Sequence, residues 1–107
     1  MNFDEYHQAA IRTLRKVPGA TNGQLSTALL GLAGEVGEVI DPIKKHFERN
    51  VPLDVVKVRD ELGDVLWYVT AVAELLDINL DTIARSNIEK LKKRWPNGFT
   101  GIAQDGE

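Results

Sequence analysis

The sequence predicts an all-α fold of four to five helices built around a long antiparallel helical hairpin. Three observations carry that expectation. Apolar residues recur with a helical period over most of the chain. The interruptions are short and have helix-stop and helix-start chemistry. The β-prone runs "DVVKV" and "WYVTAV" both lie inside one longer helical period.

The first helix is expected from about Phe3 to Val17, with Asn2 and Glu5 at capping-box spacing. "VPGATNG", residues 17–23, breaks the chain. The second helix should run from about Gln24 to Arg49, with Asn50 as its stop. Pro42 lies inside it and should kink or divide it. "NVPLD", residues 50–54, is the next break, and a third helix is expected from about Leu53 to Leu76 with Asp54 in its first turn. The fourth should span about Leu80 to Arg94, capped by Asn79 or Asp81 and stopped by Pro96 within the terminator "WPNGFTG", residues 95–101. Residues 1–107 read as a single domain with an irregular tail over 97–107.

Composition bounds function. Of 107 residues, 43% are hydrophobic and 27% charged, ordinary values for a globular protein. The formal net charge of −3 argues against nucleic-acid or membrane-surface binding, which favour a basic face. There is no cysteine, which excludes disulfides, thiolate zinc sites and thiol catalysis. The start "MNFDEYHQAA" lacks signal-peptide features, and no apolar run approaches ~18 residues, so a cytoplasmic protein is expected.

The two long helices share one wheel. With Glu35 at zero, Leu25, Ala28, Leu29, Leu32, Val36, Val39, Ile40, Ile43 and Phe47 fall in an arc of roughly 20° to 140°. With Glu61 at zero, Val55, Val58, Leu62, Val65, Leu66, Val69, Val72, Ala73 and Leu76 fall in nearly the same arc. Glu38 and Asp64 each fall at about 300°, on the same edge as their partner acid. Packing the stripes together carries four carboxylates to one margin of a shared core. Each pair alone also suits a solvated helix face. Converging carboxylates repel and need cations. Oxygen donors without His or Cys favour Mg²⁺, with Mn²⁺ as a substitute, and Mg²⁺ readily takes phosphate oxygens.

At these residues the chain resembles the MazG-like, all-α nucleoside triphosphate pyrophosphohydrolases, whose motif is E-x-x-E, a variable spacer, then E-x-x-D. Here it reads "EVGE" (35–38), 22 residues, then "ELGD" (61–64), with "GLAGEVGEV", "VRDELGDVLWYV" and "NIEKLKKRWPNGF" as matching surroundings. The resemblance covers roughly residues 3–99. It implies Mg²⁺-dependent cleavage of NTPs or dNTPs between the α and β phosphates, giving a monophosphate and pyrophosphate, in pool control or housecleaning. Glu35, Glu38, Glu61 and Asp64 would hold two or three metal ions, and Glu38, with Glu35 beside it, would act on the attacking water. Lys57, Lys90 and Arg94 would meet phosphates, with Asn87 and Tyr68 also contacting substrate. Family members are homodimers or homotetramers with sites between subunits, which agrees with hairpins pairing into four-helix bundles. The bacterial MazG protein has two tandem copies of this domain, whereas this chain carries one, as short or phage-type members do. A phosphoribosyl-ATP or dUTP pyrophosphohydrolase shares the superfold, and a non-catalytic helical interaction module is the rival outside the enzymes.

Several further residues carry expectations. Lys44 and Lys45 are read as solvated surface, His46 as a boundary residue, and Trp95 as packing the end of the fourth helix. Trp67 points away from the stripe and the acids, and an exposed indole there suggests a subunit interface. Gly31 and Gly34 would leave room beside Glu35 for a ligand or a close helix, while Gly37 and Gly63 would permit close helix packing.

Overall fold

The structure is a computed structural model and describes residues 1–19 and 21–98, with Thr21 by its backbone only. Four α-helices account for most of it: α1 Phe3–Ala10, α2 Thr21–Arg49, α3 Val55–Leu75 and α4 Leu80–Arg94. A single 3-10 turn, Ile11–Thr13, follows α1, and the described residues hold no strand. Helices α2 and α3 pack along each other as the expected hairpin, while α1 lies on α3 and supports α4. Among the described residues no helix is long and apolar enough to cross a membrane.

The helix boundaries follow from side chains at the ends. Asn2 accepts from the Glu5 amide at 2.8 Å and its own amide donates to Glu5 Oε1 at 2.9 Å, a complete capping box. The first helix stops well short of Val17. The Ala10 carbonyl and the Thr13 hydroxyl both accept from Trp67 Nε1, at 3.0 and 2.8 Å, which fixes the tightened turn. Beyond it, Gln24 holds the extended segment through the Val17 amide and the Arg15 carbonyl, and Pro18 disfavours helix at Val17.

Helix α2 begins at Thr21, inside the expected break, and runs unbroken across the buried Pro42. The missing N–H at Pro42 removes one helical hydrogen bond, but continuous packing on α3 holds both flanks. Asn50 stops α2 with a φ of 53°, as its side chain permits. His46 Nδ1 donates to the Val51 carbonyl at 2.6 Å, which fastens the connection. Asp54 is the N-cap of α3 rather than a first-turn residue, accepting from the Lys57 amide at 3.0 Å. At the other end Asp77 has a φ of 61°, and the Ile78 amide reaches back to the Ala73 carbonyl at 2.8 Å, a Schellman-type stop. Asn79, not Asp81, caps α4.

Gly98, with a φ of 78°, closes a turn onto the Trp95 carbonyl at 3.0 Å. The remainder of the expected tail, residues 99–107, lies outside the described residues, as does Ala20 of the expected break.

The core is thin. Ala28, Ala71, Ala73 and Leu80 are buried, with Thr70 sealed completely and back-bonded to the Leu66 carbonyl. Each stripe is wider than a two-helix contact can cover. One edge stays exposed: Leu29, Val36, Ile40, Ile43 and Phe47 on α2, Val55 and Leu62 on α3, and Leu76 at its C-cap, with Phe47 at 78%.

Candidate metal centre and adjoining cleft

The hairpin brings Glu35 of α2 to Glu61 and Asp64 of α3. One carboxylate oxygen from each lies within 4.8 Å of the others. The spacing of three on α3 puts Glu61 and Asp64 on one side of that helix, and stripe packing delivers Glu35 to it. Glu61 is only 7% exposed, Glu35 is half-buried and Asp64 is exposed. The Glu35 carboxyl is held above its ordinary value of 4.5, first by desolvation, then by the charges of Asp64 and Glu61, a hydrogen bond with Glu61, and Glu38.

Among the described residues, Lys57 answers this charge. Lys57 Nζ lies 2.8 Å from Glu61 Oε1, one turn before it, and this bond raises the lysine above its usual value. Three carboxylates and one ammonium, −3 + 1, leave a formal charge of −2 at the margin of the core. An all-oxygen donor set with this excess fits a hard divalent cation, and it does not fit the softer metals that select nitrogen or sulfur. The residues present therefore suit the group that the sequence implied.

Glu38 stands outside the group of three. It is exposed on the next turn of α2, close enough for its charge to act on both Glu35 and Lys57. Tyr6 of α1 also lies within reach of the charge of Asp64. Its hydroxyl is shifted upward by burial and by the charge of Asp64. Nothing in the local sequence around Tyr6 signals this, because it depends on how α1 docks.

A cleft of about 470 Å³ opens one turn from the acids. Tyr68 marks the junction: its ring lies over Gly31, where any Cβ would overlap it. The space expected beside Gly31 is thus taken by the expected site residue Tyr68. Gly34, Gly37 and Gly63 have no neighbour within 4 Å of where a Cβ would stand, so within one chain neither Gly37 nor Gly63 marks a close helix contact.

Leu14, Ala28, Trp67, Ala71 and Leu75 complete the apolar walls of the cleft. Its polar residues are largely engaged. Gln24 is tied to Val17 and Arg15, and Thr27 donates to the Gly23 carbonyl at 3.0 Å. Trp67, half-buried, donates to Ala10 and Thr13. The indole therefore secures α1 within its own chain and is half-buried rather than exposed; its wheel position faces outward from the hairpin only until α1 packs beside it.

The α4 residues stand apart from the acids within one chain. Helix α4 packs chiefly on α1, and none of the charges acting on Glu35 comes from it. Asn87 and Lys90 line a separate cleft of about 380 Å³ with Ile78, Thr82, Ile83 and Ser86, and Arg94 is half-buried in the last turn. Trp95 flanks a shallow groove with Ile88, Leu91 and Pro96, in keeping with its expected place at the end of α4. Lys44 is exposed and Lys45 pairs with Asp41 at 2.8 Å.

The profile of the family described as the MazG nucleotide pyrophosphohydrolase domain matches residues 24–99. Among curated proteins the chain is similar to the "Gene 37 protein" of Mycobacterium phage L5, 37% identical over 106 residues, with 92% of each chain covered. No solved structure matches.

Proposed function

The chain belongs to the family of MazG nucleotide pyrophosphohydrolase domains, and from that premise we propose that it hydrolyses nucleoside triphosphates between the α and β phosphates. One observation carries the reading: Glu35, Glu61 and Asp64 converge at the core margin with a net negative excess, in a chain of this family. The role would be control or cleansing of the nucleotide pool.

Glu35, Glu61 and Asp64, joined by Glu38, would hold magnesium, which when bound supplies Lewis acidity and positive charge for the triphosphate. Glu38 would orient a water and receive its proton, and its exposed position outside the tight group supports that role. The water oxygen bonds to the α phosphorus as the bond to the α–β bridging oxygen breaks, and the electron pair leaves with pyrophosphate. Lys57 adds positive charge beside the acids.

Asn87, Lys90 and Arg94 would reach the phosphates from a second copy of the chain. Two features support that arrangement: α4 packs chiefly on α1 with none of its charges acting on Glu35, and the hairpin leaves one apolar edge bare. Pairing those edges into a four-helix bundle buries Val36, Ile40 and Leu62 in a homodimer or homotetramer. The cleft beside Tyr68 and Trp67 would take the nucleoside. Because Gln24, Thr27 and Trp67 already bond within the chain, discrimination between bases would come from stacking and shape.

A pyrophosphate-release screen with magnesium across canonical and modified NTPs and dNTPs, with dUTP and phosphoribosyl-ATP included, tests the reading. Release from several triphosphates is expected. A sharp preference for dUTP or phosphoribosyl-ATP would move the chain to those activities. Silence on every substrate would leave the interaction-module reading in its place. Light scattering that shows a monomer would overturn the assembly.

A further inference from the structure

His7 is 3% exposed, yet both its ring nitrogens are engaged by other parts of the chain. The Leu80 amide, at the first residue of α4, donates to His7 Nδ1 at 3.1 Å. Nδ1 therefore carries no proton, and the ring proton sits on Nε2, which donates to Glu74 Oε1 of α3 at 2.8 Å. Lys16 holds the other oxygen of Glu74 at 2.8 Å. One imidazole thus joins α1, the end of α3 and the start of α4.

We infer that His7 is a positioning residue: it sets the direction in which α4 leaves the hairpin, and with it the placement of Asn87, Lys90 and Arg94. Helix α4 has α1 as its main packing support, and most of its surface is exposed. The first turn of a helix lacks internal partners for its amides. A side chain that captures one of them from another element therefore fixes the helix axis at that end. Asn79 satisfies the Asp81 amide at 2.8 Å, so the cap and His7 hold two different donors. Charges near the joint are those of Glu74, Lys16 and Asp77, with Asp4 of α1 acting on Arg85 of α4. The consequence for substrate rests on the pyrophosphohydrolase reading, whereas the consequence for α4 does not.

The two nitrogens can be separated. His7→Asn keeps an acceptor where Nδ1 stood, and His7→Gln keeps a donor where Nε2 stood. Amide hydrogen exchange, with helix content checked by circular dichroism, reads the joint directly. His7→Asn should keep the Leu80 amide protected, while His7→Gln should lose about tenfold or more of that protection, with α2 and α3 unchanged. Glu74→Gln should leave Leu80 protected, which keeps the inference testable if His7→Gln does not fold.

In pyrophosphate-release kinetics, His7→Gln should raise KM about tenfold with kcat within about twofold, and His7→Asn should stay near wild type. Equal behaviour of Asn and Gln at Leu80 would overturn the inference, as would unchanged KM alongside lost protection. A wild-type chain that releases no pyrophosphate would sink the proposed function instead, and the exchange data would still decide the role of His7.

Discussion

Glu35 and Glu74 are both glutamates on partly covered faces of the hairpin, and their surroundings move them in opposite directions. At Glu35 burial and the charges of Asp64 and Glu61 push the carboxyl above its ordinary value of 4.5. At Glu74 hydrogen bonds from Lys16 and then His7 hold it below that value. The region around Glu74 joins α1, α3 and α4, and Glu74 itself is bonded to both His7 and Lys16. The region around Glu35 gathers three acids against one lysine. One region ties elements of the fold together with opposite charges in contact, and the other gathers like charges, which a bound cation would offset.

The largest effect should come from within the acidic region. Glu38→Gln is expected to lower kcat by about 10²–10⁴-fold with helix content intact. Near-normal turnover would remove Glu38 from its role, and a loss of folding would blur the contrast with Glu74. Next in size is the response to metal. At about 100 times its Kd, magnesium should stabilise the chain by about 2.7 kcal/mol in urea unfolding, and Glu61→Gln should lose most of that gain. A metal response that survived in Glu61→Gln would mean that the three acids are not the binding group.

Glu74→Ala should destabilise the metal-free chain by about 1–3 kcal/mol, because the buried His7 loses its acceptor and Lys16 its partner. The comparison fails if this change costs no more than a surface substitution. The smallest effect is in the acid limb. For Glu74 the folded value is depressed, so its contribution is present above 4.5 and is lost as pH falls through the folded value. Glu35 has the reverse sign: the folded chain loses stability as pH rises from 4.5 through the raised value, and protonation restores it. Glu74→Gln should therefore flatten the fall in stability below pH 4.5, while Glu35→Gln should leave that fall in place.

Much of the architecture was legible in the chain itself. The Asn2 capping box, the Asn50 stop, a cap at Asn79 or Asp81 and the two long periodic segments each rest on contacts within one helical turn. The convergence of Glu35 with Glu61 and Asp64 followed from two matching wheels, since a stripe that is buried carries its edge with it. Local signals are incomplete where a distant element intervenes. Val17 stayed in the first helix because nothing nearby revealed that Trp67 would seize the Ala10 carbonyl. Pro42 was expected to kink or divide α2, yet packing on α3 keeps the helix continuous. Trp67 reads as exposed because a wheel drawn for the hairpin alone omits α1. His7 and Tyr6 gave no signal, since each acquires its role from a distant element.

The sequence by itself determined the number and order of the helices, several of their caps, the register of the acidic pairs and the family, because periodicity and capping are local properties that survive without a fold. The tertiary structure alone decided which edge of each stripe would be covered and that the Tyr68 ring would occupy the space over Gly31. It also decided that one histidine would tie α1 to residues 67 and 73 positions away. Contacts at that separation form only when helices dock, and docking is set by the packing of whole faces rather than by any single turn.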